Sequence, residues 1–284
     1  MKGLRDYVYS HLTIATGNRS SNSEVRLSRA MGISSYADLV KAVAKIQYGN
    51  PEYSLFFRGQ DKDHTLDSGS STIYPSIYRK SGLSVDELRE QMNKLDYAAN
   101  RLLEEFRTHN LLGHDRLADF KELCWAVLQH YEVCGTPLLD ITSSLQAAAS
   151  FALRHEKETG YLFVLGFPNV NGSISYYVEE ELLNIKLLSI CPPVAQRPYF
   201  QEGFLVGTFP SKASQKHKNL DVACRLIAKF IIGWGKPDTW NFWGKNYASI
   251  PDDALLPCDD KVMKICEEMK VELNAPVVKS GQEA

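Results

Sequence analysis

Four separated groups of polar residues stand where a predicted strand or helix ends beside glycine or proline. Side chains at the ends of such elements are held rigidly and remain reachable, so these positions commonly carry function. Arginine, histidine and carboxylate side chains can together bind an anion and move a proton. The candidate site therefore consists of Arg58-Gly59-Gln60, Gln129-His130-Tyr131, Asp140-Ile141-Thr142-Ser143, and Arg197 with Gln201 and Glu202.

Arg58 follows a short aromatic run, residues 53–57, which has the pattern of a buried strand. An arginine at the end of such a strand, with Gly59 behind it leaving room for close approach, suits bidentate binding of a phosphate or a carboxylate. The alternative is a structural ion pair that holds the end of the strand. Position alone favours the ion pair slightly.

His130 and Asp140 are the candidates for proton transfer. His130 can act as an acid, a base or a hydrogen-bond donor. Asp140 follows two leucines, so its carboxylate needs a partner such as His130 or Arg58. The structural alternative, which His130 taken alone favours, is a histidine satisfied in the core or stabilised by the helix dipole.

The remaining groups have ordinary alternatives too. Thr142 or Ser143 is suited to cap the next helix, predicted over residues 146–153. The sequence has no Walker loop, GxGxxG, GxSxG or HExxH motif, so the common motif-based assignments have no support. A surface loop explains the last group almost as well as a binding role does, namely Arg197, Gln201 and Glu202.

The composition is that of an ordinary globular protein. The 284 residues are 44% hydrophobic and 23% charged, which is enough apolar material for a real core. A formal net charge of −2 argues against a dominant nucleic-acid surface. The six cysteines form no CxxC pair, and no run approaches the roughly 18 to 20 apolar residues of a membrane helix. We therefore expect reduced thiols, no metal site, no membrane contact and a cytoplasmic location.

Hydrophobic periodicity and capping residues divide the first half into helices with strands between them. Ser84 and Glu87 form a capping box that opens the clearest helix, whose apolar stripe continues in steps of three and four to Phe106. The pattern further predicts a short helix or strand and then loop over residues 1–36, helices over 36–48, 120–131 and 146–153, strands over 53–57 and 138–142, an extended segment over 72–79, and loops over 60–71 and 111–117.

From residue 161 the pattern changes to short β-favouring runs separated by Gly, Asn and Pro. Helices first and strands later predict the α+β class. The segment from Trp234 to Trp243 is expected to be packed core rather than a docking surface. The pattern predicts strands over residues 161–165, 173–178, 185–190 and 204–209, an arch with three prolines over 191–203, an apolar run of either type over 221–232, irregular packed chain over 233–257, and a helix over 259–271.

Four motifs follow one another in order along the chain. They are Phe57-Arg58-Gly59-Gln60; Tyr74-Pro75-Ser76-Ile77-Tyr78-Arg79; Gln129-His130-Tyr131 with Leu138-Leu139-Asp140-Ile141-Thr142 and the alanines of 147–152; and Arg197 with Gln201-Glu202-Gly203-Phe204. This order resembles the FRG domain family, named after its Phe-Arg-Gly motif, over about residues 54–209. Two features depart from the family pattern: residues 132–137 are one residue longer and lack its arginine, and Ile141 replaces its tryptophan.

The same residues are more loosely similar to ADP-ribosyltransferases of the arginine-serine-glutamate type. This resemblance implies that Arg58 grips the pyrophosphate of NAD and that the hydroxyls of Thr142 and Ser143 order the nicotinamide side. It also implies a late carboxylate that binds a ribose hydroxyl and stabilises an oxocarbenium-like transition state. At the aligned position stands Gln201, and only its neighbour Glu202 is acidic.

The resemblances imply an α+β fold in which a helical N-terminal half packs on a strand-rich, ADP-ribosyltransferase-like split sheet. We expect a helical segment over residues 1–50, the FRG domain over 51–232, and an irregular aromatic segment with a C-terminal helix over 233–284. We predict that no metal is bound. The predicted catalytic residues are His130, Asp140, Gln201 and Glu202, and the predicted cofactor-binding residues are Arg58, Gly59, Gln60, Tyr131, Thr142, Ser143 and Arg197.

These residues favour an enzyme that uses NAD or a related nucleotide and transfers ADP-ribose or cleaves the glycosidic bond. The acceptor would be a protein or a nucleic acid, and the FRG resemblance adds a role in phage defence or toxicity. One alternative is a module that senses a nucleotide or a phage component without chemistry. The other is a hydrolase or nuclease built on His130 and Asp140, with or without a metal. The sequence leaves the oligomeric state open.

Overall fold

A mixed β-sheet forms the centre of the computed structural model, which describes residues 1–5, 7–80, 83–154, 158–210, 220–233 and 242–274. The described strands are β1 Met31–Ile33, β2 Ser54–Gln60, β3 Leu138–Thr142, β4 Gly160–Phe167, β5 Ile174–Tyr177, β6 Leu182–Lys186, β7 Gly203–Thr208 and β8 Leu226–Ile232. Helices and strands are both abundant, so the α+β prediction is confirmed.

The helices stand before, between and after the strands. Single 3₁₀ turns occupy Ser76–Tyr78, Val178–Glu180 and Val222–Arg225. The described α-helices are α1 His11–Thr16, α2 Asn22–Leu27, α3 Tyr36–Gly49, α4 Val85–Thr108, α5 His114–Asp119, α6 Lys121–His130, α7 Leu145–Ala152, α8 Leu187–Ile190, α9 Arg197–Gln201, α10 Asp252–Leu255 and α11 Lys261–Asn274.

The sheet consists of two four-stranded halves that meet at one residue pair. Its strand order is β1-β8-β4-β2-β3-β7-β6-β5, and among the described strands only β1 and β8 run parallel. β2 pairs with β4 along its whole length, and β3 does the same with β7. The central strands β2 and β3 share the single pair Phe57–Thr142. Beyond that pair the two strands separate, which opens the middle of the sheet.

The second half of the sheet contributes to two packed cores, and the first half to one of them. On β7, Leu205 packs with α4, α6 and α11 in one core. Its neighbours Phe204 and Val206 belong to the other core, together with residues of β2, β4 and β8. Successive side chains of a strand point to opposite faces, so helices on one side and the first half-sheet on the other bury both faces of β7.

α7 lies unusually close to β2 because both contribute small residues. A Cβ on Gly59 would stand 1.8 Å from the carbonyl oxygen of Ala148, and a Cβ on Gly160 would stand 2.2 Å from that of Ala152. Neither position has room for a side chain. The glycine of the Phe-Arg-Gly motif thus admits the backbone of a helix, which fixes α7 behind the cavity described below.

Both helices predicted from clear caps are confirmed. α3 begins after the N-cap Ser35, and α4 begins after Ser84, whose side chain accepts a hydrogen bond from the Glu87 backbone in a capping box. The N-terminal residues contain more structure than predicted, since α1 and α2 each begin with a capping box of their own. β1 follows them and joins the sheet beside β8.

Four predictions were wrong. The extended segment predicted over residues 72–79 contains the 3₁₀ turn Ser76–Tyr78. The N-cap of α7 is Ser144, which follows the predicted candidates Thr142 and Ser143.

The loop predicted over residues 111–117 contains the start of α5, which follows the left-handed Gly113 (φ 94°) and buries Leu117 in the helical core. The strand predicted over 185–190 ends at Lys186, where α8 begins. Leu187 and Ile190 are both buried in one core, and residues three apart share a face in a helix but not in a strand.

The C-terminal predictions have mixed outcomes. Residues 221–232 form a 3₁₀ turn and then β8, and the predicted last helix is present as α11. The aromatic segment lies partly outside the described residues, which omit 234–241. Of the described part, Phe242 is buried and its ring packs edge-on against Tyr36 and Trp243. None of the described helices combines the length and the apolar character that a bilayer crossing requires.

The packing of α7 on β2 yields a stability prediction. Gly59→Ala places a methyl group inside the backbone of α7 and should lower the free energy of unfolding by about 1–3 kcal/mol or more. The matched control is Gly172→Ala, since a Cβ there would meet only the Ile174 carbonyl at 3.5 Å and should change little. Denaturant unfolding measures both, and equal stability of the two variants would contradict this account of the packing.

Candidate functional site

A cavity of about 560 Å³ opens where β2 and β3 separate. Strands β2 and β3, the end of α6, and α9 with the start of β7 form its wall. Four predicted site residues do not line it: Gln60, Tyr131, Ser143 and Glu202. The predicted residues that do line it are Arg58, Gly59, His130, Asp140, Thr142, Arg197 and Gln201.

Arg58 bridges the gap between the two halves of the sheet. It lies within β2 rather than at its end, because the strand continues to Gln60. Its Nη1 donates to the Asp140 carbonyl across the gap at 2.6 Å, and its Nε donates to Gln60 Oε1 at 3.3 Å. Burial lowers the pKa of Arg58 to about 10, so the guanidinium keeps its charge at neutral pH. Its Nη2 donates to none of the described residues and remains available to a ligand.

His130 and Asp140 form a directly bonded pair in the cavity wall. His130 Nδ1 lies 3.0 Å from Asp140 Oδ1, and Gln129 Nε2 donates to Asp140 Oδ2 at 2.9 Å. Burial raises the pKa of Asp140, but the hydrogen bonds from His130 and Gln129 outweigh it and keep the pKa below its usual value. The Asp140 carboxylate is therefore ionised, and it accepts a hydrogen bond from His130 Nδ1.

The same arrangement leaves His130 neutral. Burial lowers its pKa from 6.5, although Asp140 opposes the shift. With the proton on Nδ1, the other nitrogen, Nε2, carries a lone pair. Nε2 is buried and has no hydrogen-bond partner among the described residues. Gly203 stands against this ring, since a Cβ there would lie 3.4 Å from His130 Cε1 and 2.8 Å from Leu187 Cδ1. The packing around the imidazole therefore leaves no room for a side chain at position 203.

Arg197 is held on the opposite side by Glu132, which also lines the cavity, and by Tyr131 and Asp260, which do not. Its side chain is 8% exposed, pairs with Glu132 at 3.2 Å and lies over the ring of Tyr131 at 5.7 Å. Asp260 accepts hydrogen bonds from the Tyr131 hydroxyl at 2.7 Å and from the Arg197 backbone at 2.9 Å. Tyr131 is thus a support for Arg197 rather than a residue of the cavity surface. The only feature of the sequence that singles out Asp260 is its position directly before α11.

The late segment does not bring a carboxylate to the cavity. Thr142 Oγ1 donates to the Gln201 carbonyl at 2.6 Å, and Gln201 Nε2 donates to the Leu255 carbonyl at 2.7 Å. At Glu202 the backbone turns into the left-handed region with φ 44°, which leaves that side chain exposed. Ser143 faces the same way and donates to Glu202 at 3.4 Å. Gln201 therefore lines the cavity, whereas its neighbour Glu202 lies outside the cavity and is exposed.

The charges of the wall favour an anionic ligand. With His130 neutral, arginines outnumber carboxylates four to two among the described lining residues. Two of these arginines, Arg79 and Arg154, were absent from the predicted site, although Arg79 closes the second motif. The described residues include no group of three or more His, Cys, Asp or Glu that could hold a metal ion. The charged lining residues are Arg58, Arg79, Arg154 and Arg197 against Glu132 and Asp140.

A model of the FRG domain family matches residues 53–160. The chain contains an FRG domain. The match includes Arg58, His130 and Asp140, whereas Arg197 and Gln201 lie beyond it. No curated protein and no solved structure matches the chain.

One hydrogen-bonded cluster connects the second and third motifs of the FRG domain, and the bond from Arg58 to the Asp140 carbonyl adds the first motif. The Ser76 hydroxyl donates to Gln129 Oε1 at 2.8 Å, and the Thr136 hydroxyl donates to the same oxygen at 2.7 Å. These two donors fix the Gln129 amide so that its nitrogen faces Asp140. Sequence reasoning named Gln129 only as a neighbour of His130 and did not assign Ser76 or Thr136 a role. The only feature of the sequence that could have indicated this role is the position of Ser76 and Thr136 within or beside the motifs.

The hydrogen bond to Asp140 predicts the protonation state of His130. At pH 7.5 we expect a neutral ring with the proton on Nδ1, and a titration midpoint below 6.5 because burial disfavours the cation. Nitrogen-15 NMR of the imidazole measures both. Asp140→Asn should release the tautomer preference, whereas the exposed control Asp259→Asn should not. A proton on Nε2 in the unmodified protein, or a midpoint above 6.5, would refute the assignment.

Proposed function

We propose that this FRG domain binds a phosphate-bearing nucleotide, with NAD as the expected substrate, and cleaves or transfers at its glycosidic bond. The observation that carries the proposal is the meeting of two groups on Asp140: Arg58 bonds its carbonyl and His130 bonds its carboxylate. The first has an unused Nη2 for a phosphate, and the second has an unprotonated Nε2 that lies buried in the cavity wall. A cavity of about 560 Å³ is within the size range of small-molecule sites.

The expected chemistry uses His130 as a general base. Nε2 takes a proton from the attacking water or acceptor hydroxyl, whose oxygen then bonds to C1′ of the nicotinamide ribose. The C1′–N bond breaks, its electron pair neutralises the pyridinium nitrogen, and nicotinamide leaves without charge. The carboxylate of Asp140 stabilises the imidazolium that forms, and the arginines hold the phosphates.

Asp140 takes the place that the resemblance gives to a late glutamate. Glu202 is exposed and does not line the cavity, whereas Asp140 is ionised within the wall. A carboxylate beside the reacting ribose would stabilise positive charge that develops there. Two further points stay predictions. One is that the acceptor is a protein or a nucleic acid, and the other is a role in phage defence or toxicity.

A nucleotide-sensing module without turnover is the second candidate. Two observations favour it: His130 Nε2 is shielded from solvent, and the acidic residue Glu202 lies outside the cavity. In that case the arginines would bind the nucleotide, and His130 would contribute a hydrogen bond rather than move a proton.

The first test is incubation of the purified protein with NAD, following nicotinamide release and any mass gain on added protein or nucleic acid. Arg58→Ala should weaken NAD binding by at least about 100-fold, because a buried charge contact to the phosphates is lost. His130→Gln should lower turnover by about 100- to 10,000-fold, the usual contribution of a general base, with binding nearly unchanged. The matched control is Arg101→Ala, which removes an arginine paired with carboxylates on α4 and α11.

The outcomes separate the candidates. Nicotinamide release that disappears in both site variants and persists in the control supports the enzyme. A thermal shift with NAD that depends on Arg58, without release, supports the sensor. Turnover that survives both Arg58→Ala and His130→Gln would rule out this site.

A further inference from the structure

A second cavity, of about 480 Å³, lies further along the gap in the sheet. Beyond the pair Phe57–Thr142 the first cavity is lined by Gly59 and Asp140, and the second by the next residues outward, Gln60 and Leu139. Both cavities are lined by Arg58 and by Arg79. The two arginines therefore stand at the boundary between two spaces of similar size.

The boundary carries two cations, Arg58 and Arg79, and the carboxylates of Asp140 and Glu132 also act on Arg58. Arg79 is near enough to Arg58 to add to the lowering of the Arg58 pKa, and its Nε donates to the Tyr74 carbonyl at 3.1 Å. Two neighbouring guanidinium groups repel one another unless an anion lies between them. Each presents N–H donors in the fork geometry that suits phosphate oxygens. The boundary thus suits the most negative part of a ligand.

The second cavity has the lining of a site for a flat ring. Tyr74 is half-buried there, and the almost fully buried Ile73 and Leu139 also belong to the lining. The other polar residues of the lining are Gln60, Asp61, His64 and Thr72. An aromatic face with a few polar groups around it binds nucleobases by stacking without strong preference for one base.

The wall of this cavity is held in place by a buried lysine. Lys229 is 1% exposed, and its Nζ donates to Asp63 Oδ2 at 3.0 Å and to Ser71 Oγ at 2.6 Å. The Thr72 backbone also donates to the His64 carbonyl at 2.7 Å. These bonds tie both ends of the intervening loop to β8 and to each other. A preformed wall reduces the entropy that a ligand must lose on binding.

We infer that the two cavities hold the two halves of one dinucleotide, with its bridging phosphates at Arg58 and Arg79. The half that reacts lies in the first cavity beside His130, and the adenosine half lies in the second cavity against Tyr74. A mononucleotide would fill one cavity and leave the other without contacts. This inference rests on the proposed function and specifies how its substrate is divided.

The test compares ligands on the full chain by calorimetry. Tyr74→Leu should weaken binding of NAD, ADP-ribose and AMP by about tenfold, the order of loss for one stacked base. It should leave nicotinamide mononucleotide within about twofold, because that ligand does not reach the second cavity. Tyr74→Phe should restore the affinity for NAD, since the ring and not the hydroxyl makes the contact. Tyr97→Leu, at an exposed tyrosine of α4, is the matched control.

A measurement on the unmodified protein covers the case in which Tyr74→Leu does not fold. Adenosine should still bind, by NMR, when nicotinamide mononucleotide saturates the first cavity, and NAD should displace both. Competition between adenosine and nicotinamide mononucleotide for one site would overturn the inference.

The experiments distinguish a failure of the two-cavity inference from a failure of the proposed function. NAD binding that depends on Arg58 but is unchanged by Tyr74→Leu would overturn the division between two cavities and leave the proposed function standing. No binding of NAD to the unmodified protein would overturn both.

Discussion

The gap between β2 and β3 is the constraint on which the rest of the site depends. One residue pair, Phe57–Thr142, joins the two halves of the sheet, and the backbone groups beyond it lack strand partners from the other half. Arg58 fills part of this gap by donating to the Asp140 carbonyl, since a buried carbonyl without a partner is costly. A charged side chain thus lies in the middle of a sheet, beside the cavity, and adds to the excess of positive charge on the cavity wall.

The motifs of the FRG domain are understandable as the parts that surround this gap. Gly59 lets α7 approach β2, while Ser76 fixes the amide of Gln129. That amide and His130 together hold the carboxylate of Asp140 ionised. Residues more than 60 positions apart are therefore coupled through consecutive hydrogen bonds, so a change in one motif should alter the protonation state of His130. Such a buried network favours one arrangement of its members, and His130 Nε2 is the atom of it that lacks a partner among the described residues.

The sequence predicted the parts of the fold that depend on local signals. α3 and α4 have clear caps, and α+β follows from the order of helical and strand patterns. The separation of β2 from β3 was not predictable in detail, because register between distant strands depends on packing of the whole sheet. The exposed position of Glu202 results from a left-handed turn at a residue type that rarely adopts one. Asp260 was missed because its partners come from segments far away in sequence.

The most direct test of the central claim is a crystal structure of the protein with ADP-ribose. The account predicts that the diphosphate lies in the gap between β2 and β3, within hydrogen-bond distance of Arg58 Nη2, with the terminal ribose on the His130 side. A diphosphate bound elsewhere, with Arg58 still bonded only to Asp140 and Gln60, would contradict the claim that the split in the sheet is an anion site.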